Sequence, residues 1–371
     1  MTNFDEYIQQ VEPQKREKGY AWQTAIGLQA VDGLKPSEYL IETARQHIEG
    51  DITIDEVQQL IKSYYESKVA RAEHNADTEE ADKVAANIAE LLGERSFAFT
   101  VAGLTAVHRR IFRGVFKFAG EIRDYNITKK EWVLEGDTVL YVSAPDIRKA
   151  IEYDIEQEKS FNYAGLGLEQ VVSHIAKFVS GLWQIHPFGE GNTRTTAVFT
   201  IQYLRSLGFN VENDLFANNS WYFRNALVRS NYQNVQKGVS RTNEFLERFF
   251  RNLLMGENNE LRNREMLIGI DTPTSTPTST PISTPTSSNT LWVNVSDNTI
   301  RLVRVLSNKE LSIKEMMQSA ELKDRKNFMQ YSLNPAIAGG YVRMLYPNSP
   351  RHPRQKYLLT VKGLALLQTL K

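Results

Sequence analysis

The stretch "HPFGEGNTRTTAVF", residues 186 to 199, sets a histidine, a carboxylate, two glycines, an amide and an arginine within nine residues and then runs into an apolar segment. Each type suggests a role. His186 can take a proton near neutral pH. Gly189, Gly191 and Asn192 tolerate unusual backbone angles, so successive N–H groups can point into one concavity. At a helix N-terminus such a concavity favours phosphate. Glu190 is a hard oxygen ligand suited to the Mg²⁺ that accompanies nucleotide phosphates. Arg194, on the first helical turn, suits a charge-assisted clamp on a phosphate oxygen. Phe188 is expected to face inward and pin the loop. The competing reading is a polar turn with no chemistry.

The flanking segments are those a rigid site needs. "LEQVVSHIAKFVSGLWQI" predicts a helix ending at Ile185, and "TAVFTIQYLRSLG" predicts another, with Gly208 as its C-cap. "FTVAGLTAVHRRIFRGVF" is a third; His108 and His174, on amphipathic helices, read as packed residues. From about 84 to 255 the chain is a run of helices with one break, "IRDYNITKKEWVLEGDTVLYVSA", 122 to 144. Its β-formers around Glu135-Gly136-Asp137 predict a hairpin flap. The first seventy residues read as a separate helical segment, one helix opening on the capping box Thr53-x-x-Glu56.

The motif resembles that of the Fic family, His-Pro-Phe-x-(Asp/Glu)-Gly-Asn-(Gly/Lys)-Arg-x-x-Arg, and "LTAVHRRIFRGVFKFAGEIRDYNITK" resembles the helix and flap entry upstream of it. The resemblance covers roughly 95 to 255 within a domain spanning 84–255. It implies a mainly α fold, a Fic helical bundle with a β-hairpin flap. It also implies AMP transfer from ATP to a Ser, Thr or Tyr hydroxyl of a target protein or of the chain itself. His186 would be the general base and Glu190 would hold Mg²⁺. Gly189, Gly191, Asn192 and Thr193 would line the phosphate site, and Arg194 would grip the phosphates. Tyr222, Asn225 and Tyr232 sit where relatives line the adenine pocket. The flap, with Thr128, Lys129, Lys130 and Val133, would pair with an extended segment of the target. Two positions depart from the pattern. Thr193 replaces Gly or Lys but keeps its N–H. Ala197 replaces the second arginine, which puts strict use of ATP in question.

Residues 25 to 61, within the segment 1–70, resemble the small helical antitoxins of Fic toxins. The inhibitory glutamate and following glycine correspond to Asp32 and Gly33, and Arg45-x-x-x-Glu49-Gly50 is a second partial match. With Asp32 one methylene short and Ala197 in place of its arginine partner, the segment is expected to stabilise the fold rather than block ATP.

Proline recurs every four residues in "DTPTSTPTSTPISTPTSSNT", 271–290, which predicts an extended linker that lets its two sides act independently. Residues 291–371 read in winged-helix order and resemble modules appended to Fic proteins. From Asn294 to Lys371 thirteen Lys/Arg face five Asp/Glu, within a chain whose net charge is zero. That basic end suits double-stranded DNA, with Arg325 and Lys326 on the recognition helix and Arg351, Arg354 and Lys356 on the wing. The absence of cysteine excludes disulfides and thiolate catalysis. No apolar run approaches the ~20 residues that span a bilayer, so the expectation is a cytoplasmic protein without a membrane partner. Two alternatives stay open: a nucleotide-sensing DNA-binding regulator with a silent Fic domain, and an enzyme transferring another phosphate-containing group.

Overall fold

The computed structural model describes residues 4–9, 12–67, 75–211, 214–269, 292 and 295–371. The linker 271–290 lies outside the described residues. The chain is mainly helical, and among the described residues no helix is long and apolar enough to cross a membrane.

Helices α1 (Pro13–Gly27), α2 (Glu38–Glu49) and α3 (Ile54–Glu66) form the N-terminal layer. Side chains start two of them. Ser37 accepts from the Leu40 N–H, and Thr53 with Glu56 makes the expected capping box. The layer is not separate. Trp22, Leu28, Leu40, Val57 and Ile61 are buried in one core with α4 (Ala76–Gly93) and the helices beyond it. A 3-10 turn, Leu28–Asp32, ends in the left-handed Gly33 and brings the loop after α1 against the motif helix.

The central bundle continues with α5 (Val101–Ile111), α6 (Ile147–Ser160), α7 (Leu168–Ile185), α8 (Asn192–Ser206), α9 (Ser220–Asn231) and α10 (Glu244–Met255). His174 is packed as expected: its ring stacks on Phe161 and its Nε2 lies 2.6 Å from buried Glu158. The β-hairpin flap is a correction. Residues 122–144 contain no paired strands; they form a loop with a 3-10 turn at Trp132–Leu134 and a left-handed Glu135. The neighbours Val133 and Leu134 are both buried, which a strand with alternating faces cannot achieve. The backbone partner of Val133 is also not the opposite limb of the loop, because its carbonyl accepts from the Ile268 N–H at 3.0 Å.

The C-terminal module holds α11 (Asp297–Leu306), α12 (Ile313–Ser319), α13 (Arg325–Phe328), a π turn (Met329–Leu333) and α14 (Asn334–Ala338). Strands β1 (Val342–Met344) and β2 (Tyr357–Leu359) pair antiparallel, Val342 opposite Leu359, and α15 (Val361–Thr369) closes the chain. Leu311 bridges Tyr357 on the free edge of β2. The order is the one read from the sequence; the independence is not. Lys362 N–H donates to the Leu207 carbonyl, and Ala365 of α15 belongs to the bundle core. Gly208 and Gly340 meet backbone to backbone, both with positive φ, so a Cβ on either would collide with the other's carbonyl.

Candidate active site

Helix α7 stops because His186 takes the left-handed conformation, φ 50° and ψ 60°. The loop then re-enters a helix at Asn192 behind Gly191, φ 73°. A Cβ on Gly191 would lie inside the Phe112 ring, so the backbone can rest there only as glycine. The loop closes on itself: Asn192 Oδ1 accepts from the Phe188 N–H at 2.9 Å, and its Nδ2 donates to the Phe188 carbonyl at 2.8 Å. Phe188 is buried as expected and stacks on His108 with centroids 3.8 Å apart. His108 Nδ1 accepts from the Gly120 N–H, so its Nε2–H donates to the Glu190 carbonyl at 3.0 Å. Burial first, with the Arg194 charge adding, lowers His108 to about 4, so it latches the loop as a neutral ring. Among the described residues the N–H groups of Gly189, Glu190, Gly191, Asn192 and Thr193 have no protein acceptor. Consecutive N–H groups left open at a helix N-terminus are what an anion-seeking nest requires. Asn192 contributes its N–H only, its side chain being spent on Phe188.

His186 is 3% exposed. Its Nδ1 lies 3.2 Å from the Trp183 carbonyl, which requires Nδ1–H and leaves the Nε2 lone pair free. Burial holds its pKa well below the usual histidine value, and Lys129, Arg123 and Arg224 push the same way against the Trp183 bond. The ring is therefore a neutral base at pH 7. Thr193 Oγ1 accepts from Trp183 Nε1–H at 2.9 Å, tying α7 to α8. Arg123, which sequence reasoning passed over inside a quoted segment, is the stitch of the site. Its Nε donates to the His186 carbonyl, Nη1 to Tyr125 and Nη2 to Val142, fixing both ends of the flap loop to the motif.

Glu190 projects to solvent and pairs through Oε2 with Lys129 Nζ at 2.8 Å. One exposed carboxylate suits Mg²⁺ shared with substrate phosphates, on condition that Lys129 releases it. No group of three or more acidic or histidine side chains that could cage a metal exists among the described residues.

Several predicted residues lie elsewhere than expected. Arg194 is 2% exposed and faces the N-terminal layer. Its Nη2 donates to Glu80 at 2.7 Å and Nη1 to Gln29 at 3.1 Å. Nε lies 2.8 Å from Asp32 as a close ion pair rather than a directed hydrogen bond. The guanidinium covers the Phe112 ring at 4.8 Å. Asp32 thus meets the first arginine of the motif, not the position of the second, where Ala197 is fully buried. With Glu80 and Gln29 as acceptors and Asp32 as an ion-pair partner, Arg194 ties α8 to the 3-10 turn after α1 and to α4. Tyr222, Asn225 and Tyr232 are also enclosed: they bond to the Phe245 carbonyl, to Asn263 and to Asp137 of the flap, and offer no open face. Val133 is fully buried and cannot meet a target, whereas Thr128 and Lys130 are exposed. Arg325, Lys326, Arg351 and Arg354 are exposed and Lys356 half-buried on the C-terminal module.

The comparisons with known proteins agree with this loop. Residues 98–204 match the Fic/DOC family model, and residues 297–360 match the model of the C-terminal domain of filamentation induced by cAMP protein Fic-like. The Fic/DOC match runs from the segment before α5 into the last turns of α8 and contains the whole motif loop. The chain is 26% identical over 125 residues to the protein adenylyltransferase VbhT of Bartonella schoenbuchensis, covering 33% of this chain and 25% of that protein. A solved Fic family protein from Desulfovibrio desulfuricans is 19% identical, with a TM-score of 0.44, 94% of this chain and 89% of that one being covered. The type IV secretion system effector BepA is 21% identical with a TM-score of 0.37, over 47% and 60% of the two chains. The chain spans only about a quarter of the length of its curated relative.

Proposed function

We propose that this chain transfers AMP from ATP to the hydroxyl of a Ser, Thr or Tyr on a target protein or on itself. The observation that carries the reading is His186. It is a buried imidazole held neutral, with Nδ1–H spent on the Trp183 carbonyl, beside a nest of unpaired N–H groups. His186 Nε2 accepts the proton of the attacking hydroxyl, whose oxygen bonds to the α-phosphorus as the bond to pyrophosphate breaks. The N–H groups from Gly189 to Thr193 stabilise the charge gathering on the phosphate oxygens. Glu190 would hold Mg²⁺, which when bound neutralises phosphate charge. Lys129, released from Glu190, is placed to add a further positive charge. The relative named as an adenylyltransferase supports the choice of group transferred. The exposed Trp132 and Leu140 on the flap supply apolar surface for a target protein.

The test is labelling with Mg²⁺ and ATP carrying the label on either the α- or the γ-phosphate, for wild type and His186→Ala. Label from the α position alone, lost in the variant, is the expected result; label from neither position defeats the reading.

A second reading concerns the other end of the chain. The exposed Arg325, Lys326, Arg351 and Arg354 favour a duplex DNA partner for a winged-helix module. Binding of the full chain to duplex DNA should weaken steeply with salt, with a slope falling by about one for each phosphate-contacting residue removed. Binding unchanged by Arg325→Ala combined with Arg351→Ala would reject it.

A further inference from the structure

His186 has more holding it than its carbonyl bond. A contact of 3.2 Å from Nδ1 to the Trp183 carbonyl selects a tautomer only while the ring keeps its plane, and one bond of that length restrains that plane weakly. Two aromatic rings supply the restraint. Tyr141, on the returning limb of the flap loop, stacks on the imidazole with centroids 4.1 Å apart and planes at 28°. Trp183 stands edge-on to it at 5.0 Å and 89°.

Tyr141 is itself anchored. Its hydroxyl donates to Glu131 Oε1 at 3.3 Å, and Glu131 is 2% exposed. The other oxygen of Glu131 accepts from Arg224 Nη2 at 3.0 Å, and Arg224 Nη1 donates to the Val31 carbonyl at 3.2 Å. A buried carboxylate this well paired resists displacement, because breaking either partner leaves a charge without solvent. The chain Val31–Arg224–Glu131–Tyr141–His186 therefore joins the N-terminal layer, α9, both limbs of the flap and the motif loop.

We propose that Tyr141, held by the Glu131–Arg224 ion pair, is the positioning residue that fixes the plane of His186 and so keeps its Nδ1–H on the Trp183 carbonyl. The inference rests on His186 being the general base. A phenylalanine would keep the stack but lose the anchor, so the hydroxyl is the part that joins ring position to the ion pair. Because Tyr141 and Glu131 lie on the flap, the base is aligned only while the flap is seated.

Two readouts on the full chain separate this inference from the reading beneath it. The first is the two-bond proton–nitrogen spectrum of ¹⁵N-histidine-labelled protein at pH 7, with His186 assigned by its loss in His186→Asn. Wild type should show one sharp Nδ1–H tautomer. In Tyr141→Leu and Glu131→Gln, each checked for folding by its melting curve, that imidazole should broaden or show mixed tautomers. The second readout is α-phosphate transfer. Its kcat should fall on the order of 10²-fold in Tyr141→Leu and by about tenfold in Tyr141→Phe, with the nucleotide KM held within about twofold. If Glu131→Gln fails to fold, the two Tyr141 variants still decide. A single sharp His186 tautomer in folded Tyr141→Leu overturns the proposal. If wild type transfers nothing, the transferase reading fails, and the spectra still decide the positioning.

Discussion

At the scale of single residues, the molecule assigns its polar side chains differently from their order in the motif. Arg194 has the type and place of a phosphate ligand, yet Glu80, Gln29 and Asp32 occupy its donors. Arg194→Ala should therefore cost stability, about 2 kcal/mol given that its acid partners keep part of their hydration, and leave the nucleotide KM nearly unchanged. Thermal melts and substrate titration check both halves. His186 gives a prediction of opposite character. Burial lowers its pKa, so the ring is neutral above that depressed value and charged only below it. The pH profile of kcat/KM should show no limb near 6.5, with activity declining only at more acid pH. His108, fully buried and lowered to about 4, carries the corresponding stability term. Its folded pKa lies below the unfolded value near 6.5, so its stabilisation is complete above 6.5 and lost as pH falls toward 4. The loss is on the order of 3 kcal/mol, readable by urea unfolding at a series of pH values.

At the scale of elements, the loop between α7 and α8 was the most legible part. Its glycines, its Asn and the inward Phe188 all act through backbone geometry, which short-range sequence encodes. Gly191→Ala should abolish nucleotide binding while the helices survive, because both the positive φ and the Phe112 ring exclude a Cβ. Binding by calorimetry beside a far-UV spectrum would show it. The flap was not legible. Its alternation suggested a hairpin, but burial of consecutive Val133 and Leu134 and the hydrogen bond from Ile268 decide otherwise. Ile268 lies more than a hundred residues away along the chain, beyond the reach of any local pattern.

At the scale of the whole molecule, three regions that read as separable share surfaces. The N-terminal layer contributes Trp22, Leu28 and Leu40 to the core it shares with the central bundle. A chain lacking residues 1–70 should accordingly be poorly soluble or unfolded rather than more active, as soluble yield and circular dichroism would report. A soluble and sharply more active truncation would reinstate an inhibitory segment. The C-terminal module sits on the bundle through the Gly208–Gly340 contact and the Lys362 to Leu207 hydrogen bond. Gly340→Ala, with φ at +74°, should loosen that seat and split the calorimetric unfolding of the full chain into two transitions. Helix α15 packs on α7, the helix capped by His186, so the C-terminal module touches an element that carries the candidate site.

The sequence by itself determined what depends on near neighbours: the helices and their caps, the tight glycine turn, the packed histidines and the basic C-terminal segment. Apart from composition, these follow from backbone sterics and the periodicity of apolar residues, all local quantities. Only the tertiary structure decided which charged groups meet. Asp32 reaches Arg194, Glu131 reaches Arg224 and Lys129 reaches Glu190 across separations of many residues. Ion pairing is long-ranged along the chain and short-ranged in space, so residue types list the candidates and the fold selects among them.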